Sequence, residues 1–189
     1  MEAVWSWWPV PDSDQRVLAA WLPRLPSRAE QIQLSEALSL KLFGLHGLQL
    51  TGADIGRTIY GKPQLRGSSL HHSLANTGQL TIGIGAVVPV GIDVEAQHRL
   101  FRVNPDLLRR RMFITKQDAN LWEQNRTLLQ VWTAKEAVLK ASGFGLAGGM
   151  PNVTLSAADN SCGLHGEQYR LTEWSRHGFH VALAERLRT

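Results

Sequence analysis

The sequence predicts an α+β fold whose two lobes meet near residue 95. Three observations carry this expectation. One helix-period segment stands early in the chain and a stronger one late. Strand-like runs precede and follow the later helices as blocks, without the strict strand–helix alternation of a parallel α/β sheet. The 189 residues suffice for one domain or for two small lobes with a shared core.

Taken in order, SRAEQIQLSEALSLKLFG predicts a helix over residues 28–43. Ser27 and Glu30 have the spacing of a capping box, Ala29, Ile32, Ala37, Leu38 and Lys41 follow the helical period, and Gly44 closes it. Pro23 and Pro26 punctuate the approach, and a turn-rich stretch follows with Gly52, Gly56, Gly61, Pro63 and Gly67. LTIGIGAVV and VGIDVE are strand-like runs on either side of Pro89 and predict a hairpin. Asn104-Pro105 starts a helix with proline at its first position and leads into DLLRRRMF. TKQD opens another at Thr115. The strongest helix, RTLLQVWTAKEAVLKASG, stops at Gly143, and NVTLS, EQYRLTEW and FHVALA are short strand candidates after it.

Composition is that of an ordinary globular chain, 43% hydrophobic and 19% charged, with no apolar run of the ~18 residues a membrane span needs. MEAVWSWWPVPDSD lacks the basic and apolar regions of a secretory signal. The lone Cys162 excludes an internal disulfide and a thiolate cluster for zinc. A cytoplasmic location is the resulting expectation. A net charge of +4 suits a polyanionic partner: nucleic acid, a phosphorylated cofactor or an acidic protein. Arg109, Arg110 and Arg111 fan over different faces of one helical turn, so they imply no nucleic-acid stripe.

Within GIDVE, alternation puts Val90, Ile92 and Val94 on one face and Gly91, Asp93 and Glu95 on the other. Two acids about 6.6 Å apart repel unless a cation lies between them. A hard metal ion would explain the pair, and so would a solvated outer face. On the late helix, Trp132, Glu136 and Lys140 form one stripe with Lys135 beside it. Glu136 and Lys140 also have the spacing of a surface ion pair, which contributes only about 0.3–0.5 kcal/mol. GFGLAG, residues 143–148, matches a dinucleotide fingerprint but follows a helix instead of a strand, and reads as a C-cap with a flexible loop. His71-His72-Ser73 reads as a polar loop, inert or donating to a phosphate beside Lys62.

YGKPQL, HHS, GIDVE and WTAKEAVLKASGFGL, in this order, resemble the 4'-phosphopantetheinyl transferase superfamily, most nearly its two-lobed surfactin-synthetase-activator-like branch. The resemblance covers residues 59–146 well and the remainder by element order. It implies two similar α/β lobes, a pseudo-two-fold repeat with the active site at their interface. Residues 1–92 would serve the 3'-phosphate and adenine of coenzyme A, and residues 93–189 the metal and the catalytic helix.

The implied reaction moves the phosphopantetheine arm of coenzyme A onto a serine of an apo acyl or peptidyl carrier protein, releasing 3',5'-ADP. Magnesium would be held by Asp93, Glu95 and Glu136, with Glu136 as base and Lys140 on the pyrophosphate. Gly61, Lys62 and Pro63 match the turn beside the adenine and ribose, His72 matches the histidine on the 3'-phosphate, and Arg24 and Arg28 align loosely there. A monomer that binds neither nucleic acid nor membrane is the matching expectation. Two departures stand out: His71 replaces the usual serine, and Gln117 or Asp118 stands where a glutamate is frequent. A non-catalytic binder of acidic carriers is the competing class, but it would have no use for three acids and Lys140. A nucleic-acid-binding protein is a further one, resting on charge alone.

Overall fold

The computed structural model describes residues 2–45, 47, 48, 51, 54–59, 63–65, 67–99, 104–156, 159 and 161–188. The first half of the chain forms β1 (Val4–Pro9), β2 (Arg16–Trp21), α1 (Arg28–Gly44), β3 (Ile55–Arg57), β4 (Pro63–Leu65), β5 (His71–Thr77) and β6 (Leu80–Ala86). The second half forms β7 (Val90–Ala96), α2 (Pro105–Met112), α3 (Lys116–Glu123), α4 (Leu128–Ser142), β8 (Thr154–Leu155), β9 (Ser161–Leu164), β10 (Glu167–Arg176) and β11 (Phe179–Arg186). One sheet runs β1-β2-β6-β5 and another β7-β11-β10-β9-β8, while β3 and β4 pair separately. The ladders are antiparallel throughout, so the fold is α+β.

Alternation along β7 decides what each face of the second sheet meets. Val90, Ile92 and Val94 turn toward the first sheet and join Trp8, Ile82, Ile84, Val181 and Leu183 in one apolar layer. The opposite face belongs to α4, whose Ala134, Ala137 and Ala141 pack with Ala182 and Ala184 of β11. Small residues bring that helix very close: a Cβ on Gly91 would stand 2.0 Å from the Ala137 carbonyl oxygen. On the far side of the first sheet, Leu34, Leu38 and Leu42 of α1 cover Leu18, Ala20 and Leu22. The layers thus read α1, first sheet, second sheet, α4. Cys162 of β9 is fully buried in the α4 layer, and burial pushes its thiol up to about 12.

Helix ends follow the sequence closely. Ser27 and Glu30 close their capping box on α1, and Thr127 with Gln130 closes another on α4. Gly143 caps α4 in the left-handed region at φ 81°, where a Cβ is disfavoured.

Three local expectations are corrected. LTIGIGAVV and VGIDVE are adjacent strands but not a hairpin, because β6 pairs within the first sheet and β7 within the second. The turn around Pro89 passes the chain between layers. His71-His72-Ser73 begins strand β5, and the Ser73 hydroxyl accepts a hydrogen bond from the Ile92 backbone N–H at 3.0 Å, stitching the two sheets. Residues 143–148 are more ordered than a flexible loop, since Gly145–Gly148 winds into a 3-10 turn. β1, β2, β3, β4 and β9 have no counterpart among the strands the sequence predicts.

Candidate active site

Asp93 and Glu95 project from β7 toward α4, and the helix answers with Glu136 and Lys140. The Lys140 ammonium donates to Asp93 Oδ1 at 2.7 Å. The carboxylate's other oxygen, Oδ2, is buried and has no hydrogen-bond partner among the described residues. Burial pushes the Asp93 carboxyl up, against the pull of Lys140. Glu95 pairs with Arg99 and accepts from the Thr77 hydroxyl at 3.3 Å. Its carboxyl is also raised, by burial first and then, against the Arg99 bond, by the charge of Asp93. Burial, followed by the charge of Asp93, lifts Glu136 to about 7, with Lys140 opposing and Glu95 adding to the rise. The three acids therefore share one electrostatic pocket.

Cations of the chain itself already neutralise two of them. Lys140 crosses to the strand, which separates the stripe from a simple surface ion pair. Among the described residues no three His, Cys, Asp or Glu side chains are gathered into a ready metal cluster. The donor chemistry nevertheless fits a hard divalent cation: three carboxylates on facing elements, one with a buried oxygen that has no partner among the described residues.

Lys135, next to Glu136, faces the other way. Its ammonium is completely buried and donates to the carbonyls of Met112 at 2.9 Å, Val153 at 2.8 Å and Met150 at 3.3 Å. The rings of Phe113 and Trp122 lie 4.7 and 4.9 Å away. Burial lowers its pKa to about 8, with Asp118, 3.7 Å off, resisting that fall. Asp118 is thus engaged with Lys135 away from the acids, and Gln117 is exposed.

His72 is 1% exposed and packs edge-on against Phe43 with ring centroids 4.7 Å apart. It lines a pocket of about 280 Å³ at the seam of the two sheets, together with His71, Gln64, Ser142, Tyr169 and Arg186. Pro63 pairs with Arg57 in the β3–β4 ladder, while Gly61 and Lys62 lie outside the described residues. Arg24 is held by Glu30 through bonds of 3.0 and 2.5 Å beside the start of α1. Arg28 lines a separate cleft with Ser35, Ser39, Arg57 and Asn76. Along the axis of α1, Arg28 and Phe43, the ring neighbour of His72, are roughly 22 Å apart.

Some side chains around the acids escaped the sequence reading. Arg99 is one. A second group is Arg126, Glu173 and His180: Arg126 Nε donates to Glu173 at 2.7 Å, and His180 Nε2 lies 3.3 Å from the other carboxylate oxygen. Burial pushes Glu173 up, but the His180 and Arg126 bonds outweigh it and hold the carboxyl below its ordinary range. Cross-strand register sets His180 opposite Glu95. That pairing joins residues far apart in the chain, so no local spacing could signal it.

A family model of the 4'-phosphopantetheinyl transferase superfamily matches residues 89–184, from the turn at Pro89 into β11. No curated protein matches the chain. The match spans just over half of the 189 residues and contains the acids, α4 and all of the second sheet except the last two residues of β11. With the acidic strand and the K-E-A helix facing each other inside the matched segment, the chain belongs to the 4'-phosphopantetheinyl transferase superfamily, and its chemistry is phosphopantetheine transfer.

Proposed function

We propose that this protein transfers 4'-phosphopantetheine from coenzyme A to a serine of an apo acyl or peptidyl carrier protein, giving the holo carrier and 3',5'-ADP. The observation that carries the reading is the group formed by buried Asp93 and Glu95 with half-buried Glu136 and Lys140, in which Glu136 is raised to about 7. A carboxylate of that basicity takes up a serine proton near neutral pH, where an ordinary glutamate is a weak acceptor. The serine oxygen forms its bond to the β-phosphorus as the phosphoanhydride bond to the departing 3',5'-ADP breaks. The proton passes to Glu136, and the Lys140 ammonium offsets charge on the leaving phosphate. Asp93, Glu95 and Glu136 would hold magnesium, whose chemistry is to neutralise the pyrophosphate.

The reading extends to the two-lobed, surfactin-activator-like branch, with a monomer working in the cytoplasm. The first lobe receives the nucleotide through His72 and the segment around Lys62 and Pro63, and the second supplies the acids. The test is direct. The protein is incubated with coenzyme A, magnesium and an apo acyl or peptidyl carrier, and the carrier is weighed by mass spectrometry. A phosphopantetheine adduct on the carrier serine is expected. Absence of the adduct across carriers of both kinds overturns the reading.

A further inference from the structure

The seam pocket beside His72 holds a cation that the sequence does not announce. Register sets Tyr169 of β10 directly opposite Arg186 of β11, and side chains so paired share a face. Glu167, two residues before Tyr169, stands on that face as well and pairs with Arg186. Among the described residues lining the pocket, Arg186 is the lysine or arginine, accompanied by the imidazoles of His71 and His72.

A phosphate in this pocket needs such a partner. α4 ends here at Ser142, with Gly143 as its cap, and a helix C-terminus presents carbonyl oxygens and the negative end of its dipole. An anion is unwelcome there unless a cation offsets it. Imidazoles carry charge only when protonated, whereas a guanidinium stays charged and grips phosphate with two parallel N–H groups. Position along α4 agrees. Lys140 and Ser142 both belong to the last turn of α4, so a cofactor with its pyrophosphate at Lys140 reaches this pocket within one helical turn.

Resting on the coenzyme A reading above, the geometry points to Arg186 as a specificity-determining residue that binds the cofactor's 3'-phosphate, with Glu167 holding the guanidinium until the phosphate displaces it. Calorimetric titration with adenosine 3',5'-bisphosphate and with adenosine 5'-monophosphate isolates that phosphate without any turnover. The parent should prefer the bisphosphate by roughly tenfold to a hundredfold. Arg186→Ala should lose most of this preference, Arg186→Lys should keep part of it, and Glu167→Gln should bind the bisphosphate at least as tightly as the parent. In transfer assays Arg186→Ala should raise KM for coenzyme A with kcat nearly unchanged. Circular dichroism melting of each variant confirms that it is folded, and the lysine variant serves if alanine is not. A parent that prefers the bisphosphate alongside an Arg186→Ala variant with the same preference overturns the assignment of Arg186 and leaves the transfer reading standing. Weaker binding by Glu167→Gln overturns the role given to Glu167. A parent with neither preference nor transfer overturns both readings.

Discussion

Glu136 carries the sharpest contrast between its sequence appearance and its surroundings. As half of an exposed i, i+4 pair it would be replaceable, yet it is partly buried near two other acids and lifted to about 7. Glu136→Gln keeps the shape and removes the proton acceptor, so turnover should fall by about 10²–10⁴-fold in the carrier assay. The same shift makes a stability prediction for protein held in EDTA. The ordinary value is 4.5 and the folded value about 7, so the folded chain binds the extra proton across that window. The proton's stabilisation is complete below the lower value and is lost as pH rises through the upper one. Thermal unfolding from about pH 5 to about pH 8 should therefore show the parent losing stability relative to Glu136→Gln, by at most about 3 kcal/mol. Equal pH dependence in the two proteins would refute the raised carboxyl.

Elements, more than single residues, set the distance between Asp93 and Lys140. α4 lies against β7 because Gly91 has no side chain: an added Cβ would meet Ala137 O at 2.0 Å and Ala141 N at 2.2 Å, both backbone atoms. Gly91→Ala should lift the helix, cost about 1–3 kcal/mol or more in denaturant unfolding, and lower transfer activity along with stability. Lys135→Met should destabilise through a different joint. It leaves the carbonyls of Met112, Met150 and Val153 without the buried ammonium that links α2 and the following turns to α4, at a cost of about 3 kcal/mol or more. Helices were the legible elements in the sequence, because caps such as Ser27 with Glu30 and Gly143 are local signals. Strand pairing was not. VGIDVE reads as the return arm of a hairpin, and only the partners of β7, β11 at one edge and Ser73 across the sheets, assign it elsewhere. The acids and Lys140 were legible as motif residues. Arg99, Glu173, His180 and Arg186 were not, since each acquires its place through sheet register or a turn, and neither leaves a periodic trace.

At the scale of the whole molecule, charge and layering govern how a carrier would be met. With a net charge of +4, encounter with an acidic carrier of the kind proposed above should be steered by exposed charges. The apparent KM for carrier should then rise severalfold between low and physiological salt, where screening sets in over about 8–10 Å, while KM for coenzyme A changes less. A flat profile for the carrier would indicate an apolar contact instead. The layering has a separate use. Cys162 is the chain's single thiol, lies fully inside the α4 layer and is pushed up to about 12. Such a group is inert to a thiol-reactive dye until its strand comes open. The native protein therefore contains its own clock for opening of the second sheet. Dye uptake at neutral pH measures how frequently β9 parts from its neighbours, without any engineered label.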